Sequence, residues 1–282
     1  MWGYVAKSLL MSAHARRFDN LSWPKASAAA LQRGATLIWP FGACEQHGPH
    51  LPLRTDALFS EVIISRVVDR LPPDDPIWIL PAQAIGFSPE HRAFPGTISL
   101  SAGLLIQLIT EVGQQLAGMG VKRLLLFNAH GGQIGLLQVA ARQLRAQSPS
   151  MAVLPCFLWS GVEALRELVT AEELQFGLHA SLAETSLMLN LAPELVGEAR
   201  PVDGDHASVF SQATPPQGWS LEGHAPCAWL SNDLSESGVI GDSRGASESL
   251  GQALQTALIE HWLKLLKSLI ASEWPPVKAW PG

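Results

Sequence analysis

Along this chain, short apolar runs with β-branched or aromatic content alternate with longer stretches in which apolar residues recur at every third or fourth position. That alternation predicts a layered α/β domain with a largely parallel sheet. The strands fall at residues 35–39, 77–80, 124–127 and 151–159. Between them Phe59, Ile63, Val67 and Leu71 make one helical stripe, and Leu105, Leu108, Val112 and Leu116 make a second. Gly118 and Gly120 end that second helix. A third helix follows Gly135 and runs to about residue 147, and a long final helix spans 246–270 with Leu250, Leu254, Leu258, Trp262 and Leu265 on one side. The segment 200–245, rich in Gly, Pro, Ser and Asp, reads as long surface loops.

The division expected from this pattern is a flexible leader at residues 1–19, one α/β domain at 20–270 and an extended tail at 271–282 whose prolines bar a helix. At 282 residues, with 47% hydrophobic and 16% charged side chains, the chain can bury a sizeable core, which excludes a disordered or fibrous protein. Nineteen Lys and Arg against 25 Asp and Glu leave a net charge of −6, so no global positive field is available to hold nucleic acid or an anionic membrane. The apolar stretch at 101–127 is broken by Glu111, Gln114, Gln115, Lys122 and Arg123 and does not span a bilayer. Cys44, Cys156 and Cys227 have neither disulfide-framework nor metal-finger spacing, which points to a reducing cytoplasm. Of the ten Trp residues, Trp219, Trp229, Trp274 and Trp280 fall late in the chain, where they suit either core packing or subunit contacts.

The chemistry gathers where strands give way to helices, the rim at which open α/β sheets bind ligands. Glu45 and His47 are two apart, so in extended backbone they point the same way, and Asp56 opens the next helix, where a short carboxylate reaches back to the same spot. Taken singly, Asp56 is equally a helix cap, Glu45 a surface acid, and His47 and His50 hydrogen-bonded loop residues. Asn128-Ala129-His130-Gly131-Gly132-Gln133 leaves the strand at 124–127 and brings His130 to the same rim. Its glycines either admit a ligand close to the backbone or serve a tight turn. His179 and Glu184 add another imidazole and carboxylate just ahead of an apolar run. Glu45, Asp56 and Glu184 with His47 and His130 form a mixed oxygen and nitrogen donor set suited to Zn or Mn. If Asp56 bridges, each of two divalent ions receives three protein ligands, and three carboxylates with one hydroxide cancel the ions' charge.

Five ordered blocks resemble those of the creatininase family of metal-dependent amidohydrolases over residues 20–265. They are Gly42-Ala43-Cys44-Glu45-Gln46-His47-Gly48-Pro49-His50 with Thr55-Asp56, Gly86-Phe87-Ser88-Pro89-Glu90-His91 with Phe94-Pro95-Gly96-Thr97, Asn128-Ala129-His130-Gly131-Gly132, His179 with Glu184-Thr185-Ser186, and Gly238-Val239-Ile240-Gly241-Asp242. The resemblance implies a three-layer α/β/α fold with a mostly parallel central sheet, a homo-oligomer that is often a hexamer, and two divalent metal ions, Zn first with Mn or Fe as alternatives. It carries over Glu45, Asp56 and His130 as ligands of one ion and His47 with Asp56 as ligands of the other. It makes His179 the group that passes a proton to the leaving nitrogen, and Ser88 and His91 substrate-side residues. In creatininase itself a Tyr and a metal-binding Glu follow the equivalent of His130; this chain has Gly131 and Gly132, so either Glu184 completes the second site or that site is weak. Gln175 stands where an aromatic residue shields creatinine, which implies a different small amide, with Gly131 and Gln175 beside it.

The reaction expected is attack of a metal-bound hydroxide on the carbonyl of a cyclic amide, a formamide or a short peptide, with His179 protonating the departing nitrogen. Two other readings compete. A nucleotide-binding turn is imitated by Gly131, Gly132 and Gly135 after a strand, but it leaves Glu45, His47 and Asp56 unexplained. A catalytically inactive relative that serves assembly is at odds with the retained ligand set. Cys44 as a nucleophile is disfavoured, because a thiol at an apolar strand end usually packs.

Overall fold

The four expected strands form one parallel sheet in a computed structural model, which describes residues 16–203, 215–223 and 225–276. In chain order the elements are α1 (Trp23–Ala30), β1 (Thr36–Phe41), α2 (Thr55–Val68), β2 (Ile77–Ile79), α3 (Ala102–Gly118), β3 (Arg123–Asn128), α4 (Ile134–Gln147), β4 (Ala152–Phe157), α5 (Leu165–Leu168), α6 (Ala171–Phe176), α7 (Leu182–Leu191), β5 (Val202–Asp203), α8 (Ser231–Leu234), β6 (Gly241–Asp242) and α9 (Glu248–Ala271). The sheet order is β2-β1-β3-β4, with Thr36 level with Ile77 and Arg123, and Arg123 level with Ala152. β5 and β6 make a separate antiparallel pair.

Every residue of β1 and β3 is buried, because the sheet is covered on both faces. Alternate side chains feed two cores. Ile38, Leu125 and Phe127 pack with Phe59 and Ile63 of α2, Leu187 of α7, and Leu254, Leu258 and Trp262 of α9. Leu37, Trp39, Phe41, Leu124 and Leu126 pack with Leu105 and Ile109 of α3 and Leu137 and Leu144 of α4. The result is the expected three-layer α/β/α arrangement. The chain leaves β1 through α2, on one face, to reach β2 on one side; β3 flanks β1 on its other side and is entered from α3, on the opposite face. A crevice therefore opens beyond the C-terminal ends of β1 and β3, the switch point of the sheet.

Three details differ from the pattern-based expectation. Gly118 lies inside the last turn of α3, and it is Gly120, at φ +100°, that turns the chain out of the helix. On α9 Leu265 is 44% exposed while Leu266 is 2% exposed. The buried face is rotated toward Gly251, Gln255, Ile259 and Leu266, because α9 packs tightly on α7: a Cβ at Gly251 would lie 1.9 Å from the Ser186 carbonyl oxygen. The segment 200–245 is not all surface loop. Ser231, Leu234, Val239 and Ile240 are buried, held by the Asp203 carboxylate, which accepts from Ser235 Oγ and from the N–H groups of Glu236 and Ser237. Residues 204–214 and 224 lie outside the described residues.

Both ends of the described chain are tied to the sheet. Arg16 and Arg17, at the close of the proposed leader, meet β2, where the Ile79 N–H donates to the Arg16 carbonyl at 2.8 Å. Buried Arg123 donates to the carbonyls of Trp274 and Ser272. Residues 1–15 and 277–282, with Trp280, lie outside the described residues.

Gly42 fixes the distance between β1 and α2. A Cβ there would lie 2.3 Å from Ala57 N and 2.4 Å from Ala57 Cα, both backbone atoms with no room to yield. Gly42→Ala is expected to destabilise the metal-free protein by about 3 kcal/mol, as overpacking that must move a helix. Urea unfolding reads this out, and a change near zero would show that the strand end has slack.

Candidate metal centre

The cluster is assembled from the crevice at the switch point. β1 runs through Gly42 and Ala43 to Glu45 and His47; the first turn of α2 supplies Asp56, where the helix N-terminus favours a negative charge; and β3 delivers His130. Asn128 clamps the His130 loop, with its Oδ1 accepting from His130 N at 2.9 Å and its Nδ2 donating to the His130 carbonyl at 2.6 Å. Gln133 braces it further, donating to Asn128 Oδ1 at 2.8 Å and to the Gly42 carbonyl at 3.1 Å. α7 supplies Glu184, whose Oε2 accepts from the Ala180 N–H at 2.6 Å. Ala180 sits at φ +52°, a left-handed conformation costly for a residue with a Cβ, and is held there by that bond and by Thr185 Oγ1, which donates to its carbonyl.

Ligand atoms of Glu45, Asp56 and His130 lie within 4.8 Å of one another, and so do those of His47, Asp56 and Glu184. Asp56 belongs to both groups. Its Oδ1 is 3.3 Å from His47 Nε2 and its Oδ2 is 3.2 Å from His130 Nδ1, while Glu45 Oε1 is 3.0 Å from His130 Nδ1. Proximity here is not satisfaction: Glu45 Oε2, His47 Nε2 and Asp56 Oδ2 are buried without a hydrogen bond of good geometry. Buried polar atoms that converge unpaired are costly unless something binds them, and these are carboxylate and imidazole donors. They fit a pair of divalent cations.

The far sides of the two imidazoles are arranged accordingly. His47 Nδ1 donates to the Glu45 carbonyl at 3.2 Å and His130 Nε2 donates to the Phe87 carbonyl at 2.9 Å, so each ring turns its other nitrogen to the carboxylates. Without metal, protons supply the positive charge. Burial alone would lower the His47 pKa, but Asp56, with Glu184 and Glu45, outweighs it and raises His47 to about 9. His130 is likewise raised well above its ordinary value, against burial, by Glu45 and Asp56. Asp56 is held far below the usual carboxylate range because His47 and His130 overcome the cost of its burial. Burial pushes Glu184 up to about 7.

His179 stacks between His47 and His91, with ring centroids 4.3 and 4.2 Å away. Its Nε2 donates to the Gln46 carbonyl at 2.7 Å, and burial together with His47 and His91 holds its pKa well below the ordinary value. His91 is buried, with Nε2 3.6 Å from Glu45 Oε1. Ser88 is fully buried behind His130, its Oγ 3.3 Å from Nε2. Gly131 is exposed with open space beside it, and Gln175 is exposed on α6 with no hydrogen bond to the cluster. His50 lies off the cluster: its Nε2 meets Thr185 Oγ1 at 2.8 Å, and burial lowers its pKa to about 4.

Sequence reasoning missed three neighbours of the cluster. Glu90 Oε1 is 3.4 Å from His130 Nε2, in space that Gly132 vacates, since a Cβ on Gly132 would lie 1.8 Å from that oxygen. The signal was the Glu90-His91 pair itself. Gln46 and Ser231 both contact His91 Nδ1, at 2.9 and 2.6 Å, and Ser231 lies in the segment read as surface loop. The glycine turn after β3 thus faces a carboxylate, a poor cradle for phosphate. Among the described residues, no candidate metal-binding group includes a thiol.

The sequence profile of the family described as creatininase, creatinine amidohydrolase, matches residues 19–266. The mycofactocin precursor peptide peptidase of Mycobacterium tuberculosis (strain CDC 1551 / Oshkosh) is 33% identical over 231 residues, 80% of this chain and 82% of that protein. The creatinine amidohydrolase of Pseudomonas putida is 29% identical over 198 residues, 65% of this chain and 75% of that protein. Among solved structures, one described as "Creatininase Mn" superimposes with a TM-score of 0.71 at 23% identity, covering 92% of this chain and 98% of that one. With its fold, its ordered sequence blocks and its profile match in accord, the chain belongs to the creatininase family.

Proposed function

We propose that this protein is a metal-dependent amidohydrolase that cleaves a C–N amide bond of a small substrate at a binuclear centre. The observation that carries the reading is Asp56, with one carboxylate oxygen 3.3 Å from His47 Nε2 and the other 3.2 Å from His130 Nδ1. Glu45, Asp56 and His130 would hold one ion, and His47, Asp56 and Glu184 the other, with zinc or manganese suited to these donors. Two such ions polarise an amide carbonyl and acidify water.

The protein's own groups do the rest. His179 is neutral, and its Nε2–H is committed to the Gln46 carbonyl, so Nδ1 is the atom left to take a proton from the attacking water and hand it to the leaving nitrogen. Gly131 leaves open space at the rim for substrate, and Gln175 supplies no aromatic shield, so creatinine is not the substrate we favour. Short peptides stand first, because the mycobacterial relative is named as a peptidase, followed by formamides and cyclic amides. We take the enzyme to act in the cytoplasm as a homo-oligomer, a hexamer on the family resemblance, without nucleic acid or membrane. The net charge of −6 provides no global positive field for nucleic acid, and no described helix is long and apolar enough to cross a membrane.

The test begins with the ion content of protein purified without chelators, followed by amine release from short peptides, formamides and cyclic amides. Two ions per chain, and activity removed by a chelator and restored by zinc or manganese, are expected. Protein that takes up no divalent ion, or loaded protein that releases amine from none of the three classes, would overturn the reading.

A further inference from the structure

Every polar atom of the Gln46 side chain has a fixed partner. Its Oε1 accepts from the Gly48 N–H at 2.8 Å, which fixes the orientation of the amide. Its Nε2 then spends one hydrogen on the Gly238 carbonyl at 3.0 Å and the other on His91 Nδ1 at 2.9 Å. An amide nitrogen has no lone pair to offer, so Nδ1 of His91 must accept and the ring proton must reside on Nε2. Ser231 Oγ, 2.6 Å from the same Nδ1, is a hydroxyl that donates equally well.

The protonated Nε2 faces the metal centre yet is not used up there. Glu45 Oε1 is 3.6 Å away and Glu90 Oε1 4.0 Å away, both beyond hydrogen-bond length. The ring is held in that direction by stacking on His179 at 4.2 Å and by the edge of Trp229 at 6.5 Å. Although His91 falls in one of four potential ligand groups, with Glu45 and Glu90, while His179 falls in another with Glu45 and His47, a nitrogen carrying a proton cannot bind a cation, and the other nitrogen of His91 is covered by Gln46. The backbone of the same Gln46 takes the Nε2–H of His179. One residue thus assigns opposite jobs to two stacked imidazoles.

The geometry points to His91 as a fixed N–H donor for the carbonyl oxygen of the substrate, and to Gln46 as the positioning residue that sets His91 as donor and His179 as acceptor. A donor aimed at a carbonyl oxygen gains most as that oxygen acquires negative charge, so its contribution falls on the chemical step. The donor role rests on the amide-hydrolysis reading; the placement of the proton does not.

Neutron diffraction from zinc-loaded crystals exchanged into heavy water tests the placement without any substrate. Deuterium on Nε2 of both His91 and His179, and none on Nδ1 of either, is the expected result. Deuterium on His91 Nδ1, or zinc bound to His91, would overturn the proposal while leaving the hydrolase reading in place. The kinetic arm compares two amides. His91→Gln puts an amide N–H near the former Nε2 and should keep kcat within about tenfold, whereas His91→Asn, whose amide overlies Nδ1, should lose about a hundredfold in kcat with little change in KM. Gln46→Glu, which draws the proton to Nδ1, should match the Asn protein while retaining both ions. Equal losses in the Gln and Asn proteins would mark a structural role for His91 and defeat the donor assignment.

Discussion

Asp56→Asn protein is expected to fold, to lose stable binding of both divalent ions and to fall by about a thousandfold or more in kcat/KM. The effect is large because Asp56 is the one carboxylate common to the two groups proposed to hold the ions, Glu45-Asp56-His130 and His47-Asp56-Glu184. An amide of the same shape leaves one neutral oxygen in place of two anionic ones, so one ion loses its Asp56 ligand outright and the other keeps a weak one. The buried charge balance also fails, since Glu45, Glu184 and one hydroxide then carry three negative charges against four positive ones. Folding should survive. His47 and His130 can release the protons that Asp56 now holds on them, which limits the penalty of removing their counter-charge. Elemental analysis and zinc titration against a chelator read the ion content, and circular dichroism confirms the fold. Retention of two ions, or turnover close to that of the parent, would sink the bridging role of Asp56.

The layered fold was legible because β1 and β3 are buried on both faces and so carry unbroken apolar runs. The stripe on α9 was misjudged at Leu265 because periodicity reports that a helix has an apolar face, not how far a neighbour rotates it. Here the pivot is Gly251 against Ser186, a contact between elements distant in sequence. The cluster was legible where its side chains follow directly from strand ends: Glu45, His47, Asp56 and His130 all leave β1 or β3 or open α2. Ser88, read as a substrate-side residue, lies with its hydroxyl 3.3 Å from His130 Nε2. Ser231 and Gly238 were hidden in a stretch whose Gly, Pro and Ser content imitates a solvated loop. Their backbone and side-chain groups are instead consumed in orienting Gln46 and His91. Composition shows that such a segment lacks helix and strand propensity, but not that its polar groups face inward.

Zinc affinity is expected to climb steeply with pH, for a reason visible in the metal-free centre. His47 titrates near 9 in the folded protein against an ordinary value of 6.5, so its proton adds stability below pH 6.5 that is lost as pH rises through about 9. Glu184 titrates near 7 against 4.5, so it too favours the folded state at low pH and loses that contribution on the way to pH 7. Metal-free protein should therefore lose stability between about pH 6.5 and 9. Zinc held as proposed should reverse the dependence, because it would take the place of the proton on His47 Nε2 and require Glu184 as the carboxylate. Each displaced proton contributes about tenfold per pH unit below its pKa and less near it, giving roughly fiftyfold tighter binding at pH 9 than at pH 7 from His47 alone. Below pH 7 the slope should steepen as Glu184 joins. Calorimetric titration with zinc in two buffers of different ionisation enthalpy counts the protons released, and melting curves with and without zinc should diverge as pH rises. Zinc binding that releases no proton at pH 7 would mean that the ion is held elsewhere, since no cation can bind His47 Nε2, 3.3 Å from Asp56 Oδ1, while that nitrogen keeps its proton.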